Sequence, residues 1–209
     1  MTLKIAREGM PTIGALAFMV FGAYTVSPVI GGVLLASLAL AVWFYRDPER
    51  HPPQDSDGWV SPADGKVVEI VPDADDPYAG KTTKIGIFMN GFDVHVNRFP
   101  TDGTVEERRY VPGKKWFVIA PKSSELNERL YLGVMTAQGR TTLVQIAGIM
   151  ARRIACYAAQ GKRFARGERY GMIKLGSKVD VYLPAGVHPV VTLGDRLRAG
   201  ESIIGVIER

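Results

Sequence analysis

The chain opens with an uninterrupted apolar stretch and then changes character. From Gly9 to Tyr45 there is no charged residue. A single helix over that stretch would measure about 55 Å at 1.5 Å per residue, far beyond a hydrocarbon core of about 30 Å. Pro28, preceded by Ser27 and followed by Gly31-Gly32, supplies a break. The pattern therefore predicts two apolar helices, about Thr12 to Val26 and Val29 to Phe44, forming a tight hairpin or a re-entrant wedge. Neither helix has a polar face, which favours lipid over a soluble core as surroundings. A cleaved signal peptide is the competing reading, with Ala39-Leu40-Ala41 as a small-residue site. The apolar stretch is about twice a normal h-region of 7–15 residues, and Pro28 interrupts it.

Beyond Tyr45 the pattern turns polar and then strand-like. Residues 46–58 contain Arg46-Asp47-Pro48-Glu49-Arg50-His51-Pro52-Pro53 and read as a linker. From residue 59 to 209, short runs of β-branched and aromatic residues alternate with Gly, Pro and Asp turns. Strands are expected at Gly65–Val71, Thr82–Met89, Val94–Arg98, Thr104–Tyr110, Trp116–Ile119, Leu130–Thr136, Thr141–Met150 and Val179–Leu183. Asp73–Pro77 and Pro121–Glu128 read as polar loops. Gly194–Gly205 reads as turn, strand, turn, strand. The expected architecture is mainly β, a compact barrel-sandwich hybrid, preceded by an apolar helical hairpin over residues 1–45.

Charge and cysteine content narrow the chemistry. The 209 residues carry a net charge of +5 with a pI near 9.3, which suits a membrane surface, a nucleic acid or a phosphorylated substrate. Cys156 is the only cysteine, so neither an internal disulfide nor a cysteine metal cluster can form. Lys4 and Arg7 precede the apolar stretch and Arg46 and Arg50 follow it, which places both ends on the cytoplasmic side. Trp43, Phe44 and Tyr45 stand where an interfacial aromatic belt belongs.

Three stretches carry candidate chemistry. In Gly176-Ser177 a serine hydroxyl follows a glycine whose carbonyl no side chain shields, so the hydroxyl can attack that carbonyl and exchange amide for ester. Most Gly-Ser pairs are only turns. Ser61-Pro62-Ala63-Asp64-Gly65 places a carboxylate in a turn entering a strand, again usually nothing more. In Phe92-Asp93-Val94-His95-Val96-Asn97-Arg98, alternation puts Asp93, His95 and Asn97 on one face. Together Asp64, His95 and Ser177 form the minimum set for activating a hydroxyl nucleophile. His51 falls in the linker and His188 in a loop.

In order along the chain, Phe44-Tyr45-Arg46-Asp47-Pro48, Pro62-Ala63-Asp64-Gly65, Phe92-Asp93-Val94-His95, Tyr110-Val111-Pro112-Gly113, Asn127-Glu128-Arg129 and Gly167-Glu168-Arg169-Tyr170-Gly171-Met172 lead to Leu175-Gly176-Ser177. This ordered set resembles the short form of the phosphatidylserine decarboxylase family. The resemblance implies self-cleavage between Gly176 and Ser177, with Asp64 and His95 helping to activate the serine. It implies a pyruvoyl group derived from Ser177 as cofactor, no metal, and decarboxylation of phosphatidylserine to phosphatidylethanolamine through an imine. The implied partners are phosphatidylserine and an anionic membrane surface, not nucleic acid. The cleaved α and β chains would stay together, in an enzyme at the cytoplasmic side of the cell membrane and capable of homo-oligomerising. Long-form members carry Asp-Tyr-His-x-x-His-x-Pro, where this chain places Arg98 at the second histidine, so His95 inherits both duties. They also carry Leu-Gly-Ser-Thr, where this chain has Lys178. Lys114, Lys115 and Arg166 are candidate headgroup contacts.

Two other readings fit parts of the sequence. A biotinyl- or lipoyl-like carrier would share the Pro62–Val67 and Gly194–Gly205 patterns and carry its group on Lys174 at a hairpin tip. A membrane-anchored binding protein would use Gly176-Ser177 as a plain turn.

Overall fold

The computed structural model describes residues 4–54, 58–114, 126–148, 154–174 and 176–207. The expected strand Trp116–Ile119, most of the loop Pro121–Glu128, and Lys115 lie outside them. The chain divides into two units, Met1–Glu49 and Arg50–Arg209.

In the first unit a 3-10 turn at Arg7–Gly9 leads into α1 (Met10–Val26), followed by α2 (Pro28–Phe44). Each helix takes a proline in its first turn, where the missing N–H costs nothing because it would have no helical partner. Ser27 joins them in extended conformation, its N–H donating to the Ala23 carbonyl and its own carbonyl accepting from Gly31. Gly31 lets the helices close: a Cβ there would lie 2.8 Å from the Tyr24 ring. The two ends of the hairpin return to one another through Ala6 N–H to Tyr45 O (2.8 Å), Asp47 N–H to Lys4 O (2.7 Å) and a Lys4–Glu49 ion pair. Seventeen residues per helix make about 25 Å of rise. Together with the 3-10 turn, Arg7–Val26 is long and apolar enough to cross a membrane. The flanks of the pair are exposed, with Phe18, Phe21 and Val26 each about four-fifths accessible.

Among the described residues the second unit has fourteen strands: β1 (Trp59–Val60), β2 (Gly65–Asp76), β3 (Gly80–Met89), β4 (Val96–Arg98), β5 (Gly103–Val111), β6 (Arg129–Thr136), β7 (Gly139–Ile146), β8 (Ile154–Cys156), β9 (Arg163–Phe164), β10 (Arg169–Ile173), β11 (Ser177–Leu183), β12 (Val187–Pro189), β13 (Arg196–Leu197) and β14 (Ile203–Ile207). Eight form one antiparallel sheet in the order β13-β2-β3-β11-β7-β6-β5-β9; the sheets β1-β14-β12 and β4-β10-β8 complete the unit. The mainly β architecture agrees with the sequence reading.

The large sheet curls because the far end of the β2–β3 hairpin folds back over it. Asp76 accepts a hydrogen bond from the Thr142 hydroxyl on β7, and the Tyr78 ring packs against Gly133 on β6, which has no Cβ to obstruct it. The expected loop at Asp73–Pro77 is thus mostly strand, irregular at Asp73, where φ is +52° and the register shifts. Curling covers both faces of the central strand β11. Val179, Val181 and Leu183 enter the main core with Trp59, Leu132, Leu143 and Phe164, while Lys178 and Asp180 are buried on the opposite face. Phe99 stacks on Phe164 with centroids 4.2 Å apart and meets Tyr170 edge-on at 5.0 Å, joining the small β4-β10-β8 sheet to that core. His188, expected in a loop, lies in β12.

Candidate active site

Gly176 and Ser177 form the step between two sheets. β10 pairs with β4 and β8, whereas β11 pairs with β3 and β7, so the chain crosses from one sheet to the other at this point. Gly176 makes the crossing at φ +59°, in the left-handed region, with open space where a side chain would project. Ser177 is the first residue of β11, directly opposite Met89 of β3, and is fully buried. Its hydroxyl has no hydrogen-bond partner among the described residues. Leaving a hydroxyl buried and unsatisfied costs about 1–3 kcal/mol, as it does for the Thr82 and Tyr170 hydroxyls of the same unit.

His95 lies just before β4 and is fully buried. Its Nδ1 stands 2.9 Å from the Asp93 carbonyl oxygen. A carbonyl only accepts, so Nδ1 carries a proton, and in the neutral form of the ring the basic lone pair is at Nε2. The His95 carbonyl in turn accepts from the Ile173 N–H at 3.3 Å, which sets this segment beside the end of β10, just ahead of Gly176. The expected shared face of Asp93, His95 and Asn97 does not form. Asp93 sits in a turn, the strand starts only at Val96, and every residue from Val94 to Pro100 is buried, so no alternation survives.

Asp64 enters from the turn before β2. Gly65 holds that turn against β3 at φ +144°, where a Cβ would lie 2.1 Å from the Phe88 carbonyl oxygen. One carboxylate oxygen accepts from the Ala199 N–H at 2.7 Å and the other from Arg50 at 3.1 Å. The Val94 N–H also bonds this carboxylate, so Asp64 abuts the residue preceding His95. Burial pushes the Asp64 pKa up; the Ala199 N–H and the Arg50 charge pull it back without cancelling the rise. β2 and β11 flank β3, with Lys66 and Lys178 both opposite Phe88, so their backbones run about 10 Å apart at normal strand spacing. The structure thus gathers Asp64 and the His95 segment at one place and sets the His95 backbone against the strand leading to Ser177. The contact to His95 Nδ1 comes from the Asp93 carbonyl, not from Asp64.

Several contributors escaped the sequence reading. Arg50, assigned to a linker, is largely buried and bridges Asp64 and Glu201, the latter at 2.6 Å. Gln145, opposite Val179 on β7, donates to Asn97 Oδ1 at 2.8 Å, and Asn97 turns its own amide toward the Met89 sulfur at 3.7 Å. The only signal for Gln145 is a lone amide inside the apolar run Leu143-Val144-Gln145-Ile146-Ala147. Lys178 faces away from Ser177, into an ion cluster with Glu69, Asp180 (3.2 Å) and, through Glu69, Lys84 (2.7 Å). Burial would lower the Lys178 pKa, but the two carboxylates outweigh it and the net shift is upward.

Arg98 and Arg166 make contacts within the β unit. Arg98 donates to the Gly167 carbonyl at 2.9 Å. Arg166 donates to the carbonyls of Gly58 and Pro53, so its guanidinium ties the chain together. Lys174 does not sit at a hairpin tip, because β10 and β11 are not paired, and the carrier geometry is absent. A cleft of about 590 Å³ lined by Thr104, Gln138, Arg163 and Arg166 opens at the β6–β7 turn. That turn lies some 20 Å along the sheet from the Ser177 end of β11.

The family model for phosphatidylserine decarboxylase matches residues 38–205 of this chain. The chain belongs to the phosphatidylserine decarboxylase family. It is 47% identical over 204 residues to the phosphatidylserine decarboxylase proenzyme of Solidesulfovibrio magneticus, covering 96% of this chain and 94% of that one. The proenzyme of Symbiobacterium thermophilum is 44% identical with the same coverage, and that of Desulfotalea psychrophila is 41% identical over 98% of this chain and 97% of its own. The family is one of enzymes, carboxy-lyases whose substrate is phosphatidylserine. The match spans Asp64, His95, Gly176 and Ser177.

Proposed function

We propose that this chain is a proenzyme that cuts itself between Gly176 and Ser177 and then decarboxylates phosphatidylserine to phosphatidylethanolamine. The carrying observation is the Ser177 hydroxyl, buried and unsatisfied beside the carbonyl of a left-handed glycine. The relatives' designation as proenzymes supports the same reading. In the first step Ser177 Oγ bonds to the Gly176 carbonyl carbon and the Gly176–Ser177 C–N bond breaks, giving an ester. The hydroxyl proton goes to His95 Nε2 and passes on to the freed amine. Loss of the Ser177 α-proton then breaks the Cβ–O bond, releasing Gly176 as a carboxylate. Water exchanges the nitrogen of the dehydrated residue for oxygen and ammonia leaves, so the second chain begins with a pyruvoyl group.

The surroundings fit that group: its precursor serine opens a strand and pairs with Met89 of β3, with no side chain at Gly176 to crowd it. Once formed, the pyruvoyl ketone supplies the electron sink that other decarboxylases draw from a bound cofactor. The chain's own residues do the rest. Arg50 and two backbone N–H groups fix Asp64 as a buried carboxylate beside the His95 segment. His95, held through Nδ1, takes the serine proton in maturation and returns a proton to substrate carbon in turnover. The α and β chains stay associated through β11, which pairs on both sides. The apolar helical pair anchors the enzyme in the cell membrane, with the β unit on the cytoplasmic side.

Intact-mass measurement tests this directly. Wild-type protein should give two chains, the smaller beginning with a pyruvoyl residue at position 177, and Ser177→Ala should give one uncleaved chain without decarboxylase activity. Two normal fragments from Ser177→Ala would sink the proposal.

A further inference from the structure

We propose that two adjoining turns beside the candidate site, residues 90–93 and 192–195, form a rim that docks on an anionic phospholipid bilayer, with Phe92 and Leu193 entering the acyl region. This deepens the reading of Ser177 as the centre of a phospholipid decarboxylase and rests on it.

The first turn is held rigidly. The Asn90 N–H donates to Asp93 Oδ2 at 2.8 Å, the Phe92 N–H to Asn90 Oδ1 at 2.7 Å, and the Asp93 N–H to the Asn90 carbonyl at 3.2 Å. All that bonding presents Phe92 with 79% of its surface exposed. The second turn is fixed in the same way: the Thr192 N–H donates to Asp195 Oδ2 at 2.7 Å, and the Gly194 N–H to the Val67 carbonyl at 2.9 Å. It presents Leu193 at 65% exposure. Asp93 and Arg196 approach to 3.8 Å, so the turns are neighbours. Two large apolar side chains are thus held out on neighbouring turns rather than scattered singly, as is ordinary on a surface.

Charge selects the occupant. Lys66, Arg196 and Arg198 are exposed around the two tips, and Lys66 lies against Gly194. The two carboxylates nearby, Asp93 and Asp195, accept from backbone N–H groups of their own turn and Asp93 also faces Arg196 at 3.8 Å, so three cations against two carboxylates leave the rim net positive. Apolar tips on a net positive rim match a bilayer whose surface is negative. Position agrees, since Asp93 is two residues from His95, at most about 7 Å of chain. A headgroup still tethered by its acyl chains can reach a buried centre only if the protein surface around it touches the interface.

The test uses the full-length protein with Cys156→Ser and a single cysteine at Phe92, Leu193 or, as control, Ala137 on the distant β6–β7 turn. Each is labelled with an environment-sensitive fluorophore. Vesicles of phosphatidylcholine with phosphatidylglycerol are floated to isolate bound protein, which the helical pair retains in every variant. Labels at 92 and 193 should brighten several-fold and be quenched by spin-labelled acyl chains, while the label at 137 should not change. Labels at 92 and 193 that stay in water on vesicle-bound protein would overturn the proposal. So would burial without vesicles that grows with protein concentration, which would assign the rim to a second copy. The vesicles contain no phosphatidylserine and turnover is not read, so failure of the Ser177 chemistry leaves this result standing.

Discussion

Replacing Arg50 by alanine leaves Asp64 buried without its nearest cation. Arg50 and Asp64 each keep only 12% of their side-chain surface in water, whereas the second partner, Glu201, keeps 32%. Removing one member of a buried pair costs about 3–5 kcal/mol. Asp64 retains its bond from the Ala199 N–H, so the lower end applies, about 3 kcal/mol. For a unit of this size that is a fall in Tm of roughly 6–12 °C. The pH dependence follows from the direction of the Asp64 shift. A carboxyl whose folded pKa is raised favours its neutral form in the fold; its contribution is favourable below the unfolded pKa and is lost as pH rises through the folded value. Without Arg50 the folded value climbs further, so the variant's deficit is large at pH 7 and shrinks on acidification. Calorimetric melts in a Ser177→Ala background, with Arg50→Ala, Asp64→Asn and the double variant, measure this without chain scission. With Asp64 already amidated, Arg50→Ala should cost about 1 kcal/mol, the worth of the pair with Glu201, which is about one-third exposed. An equal penalty in both backgrounds, or one that does not change with pH, refutes the electrostatic account.

His95→Ala whose cleavage has been rescued by added imidazole, so that the pyruvoyl group has formed, should lose decarboxylation once the imidazole is removed, because Arg98 keeps its proton and is engaged at Gly167; a normal rate would confine His95 to maturation. Deleting residues 1–44 should release the protein from membranes while its β-type circular dichroism persists, and aggregation or loss of that signal would mean the helices are a packed part of the fold.

The helical pair was legible because composition alone marks it: an uncharged stretch with a proline where the second helix begins. Most strands were legible for similar local reasons. Asp73–Asp76 was not, since a run of carboxylates reads as loop, and only the distant Thr142 hydroxyl gives Asp76 a place in a sheet. Alternation around His95 misled because it presumes one wet face, and this segment has none. Arg50 lay beyond reach for a different reason. Its partner Glu201 is 151 positions away, and nothing in a proline-rich polar stretch announces a buried ion pair. Ser177 itself was found through the ordered set of motifs, not through any property of Gly-Ser; burial of its hydroxyl is information that only the fold contains.

The placement of β11 has a consequence for the life history of the protein. Residues 177–207 supply β11 to the middle of the large sheet, β13 to its edge beside β2, and β14 to the side of β1. Folded as one chain, these strands find their neighbours at the high local concentration that covalent linkage provides. With the link at Gly176 severed as proposed, the same contacts would become those of a dimer of unlike fragments, and melting would become a dissociation. The midpoint of the mature protein would then rise with concentration, while that of the uncut precursor would not.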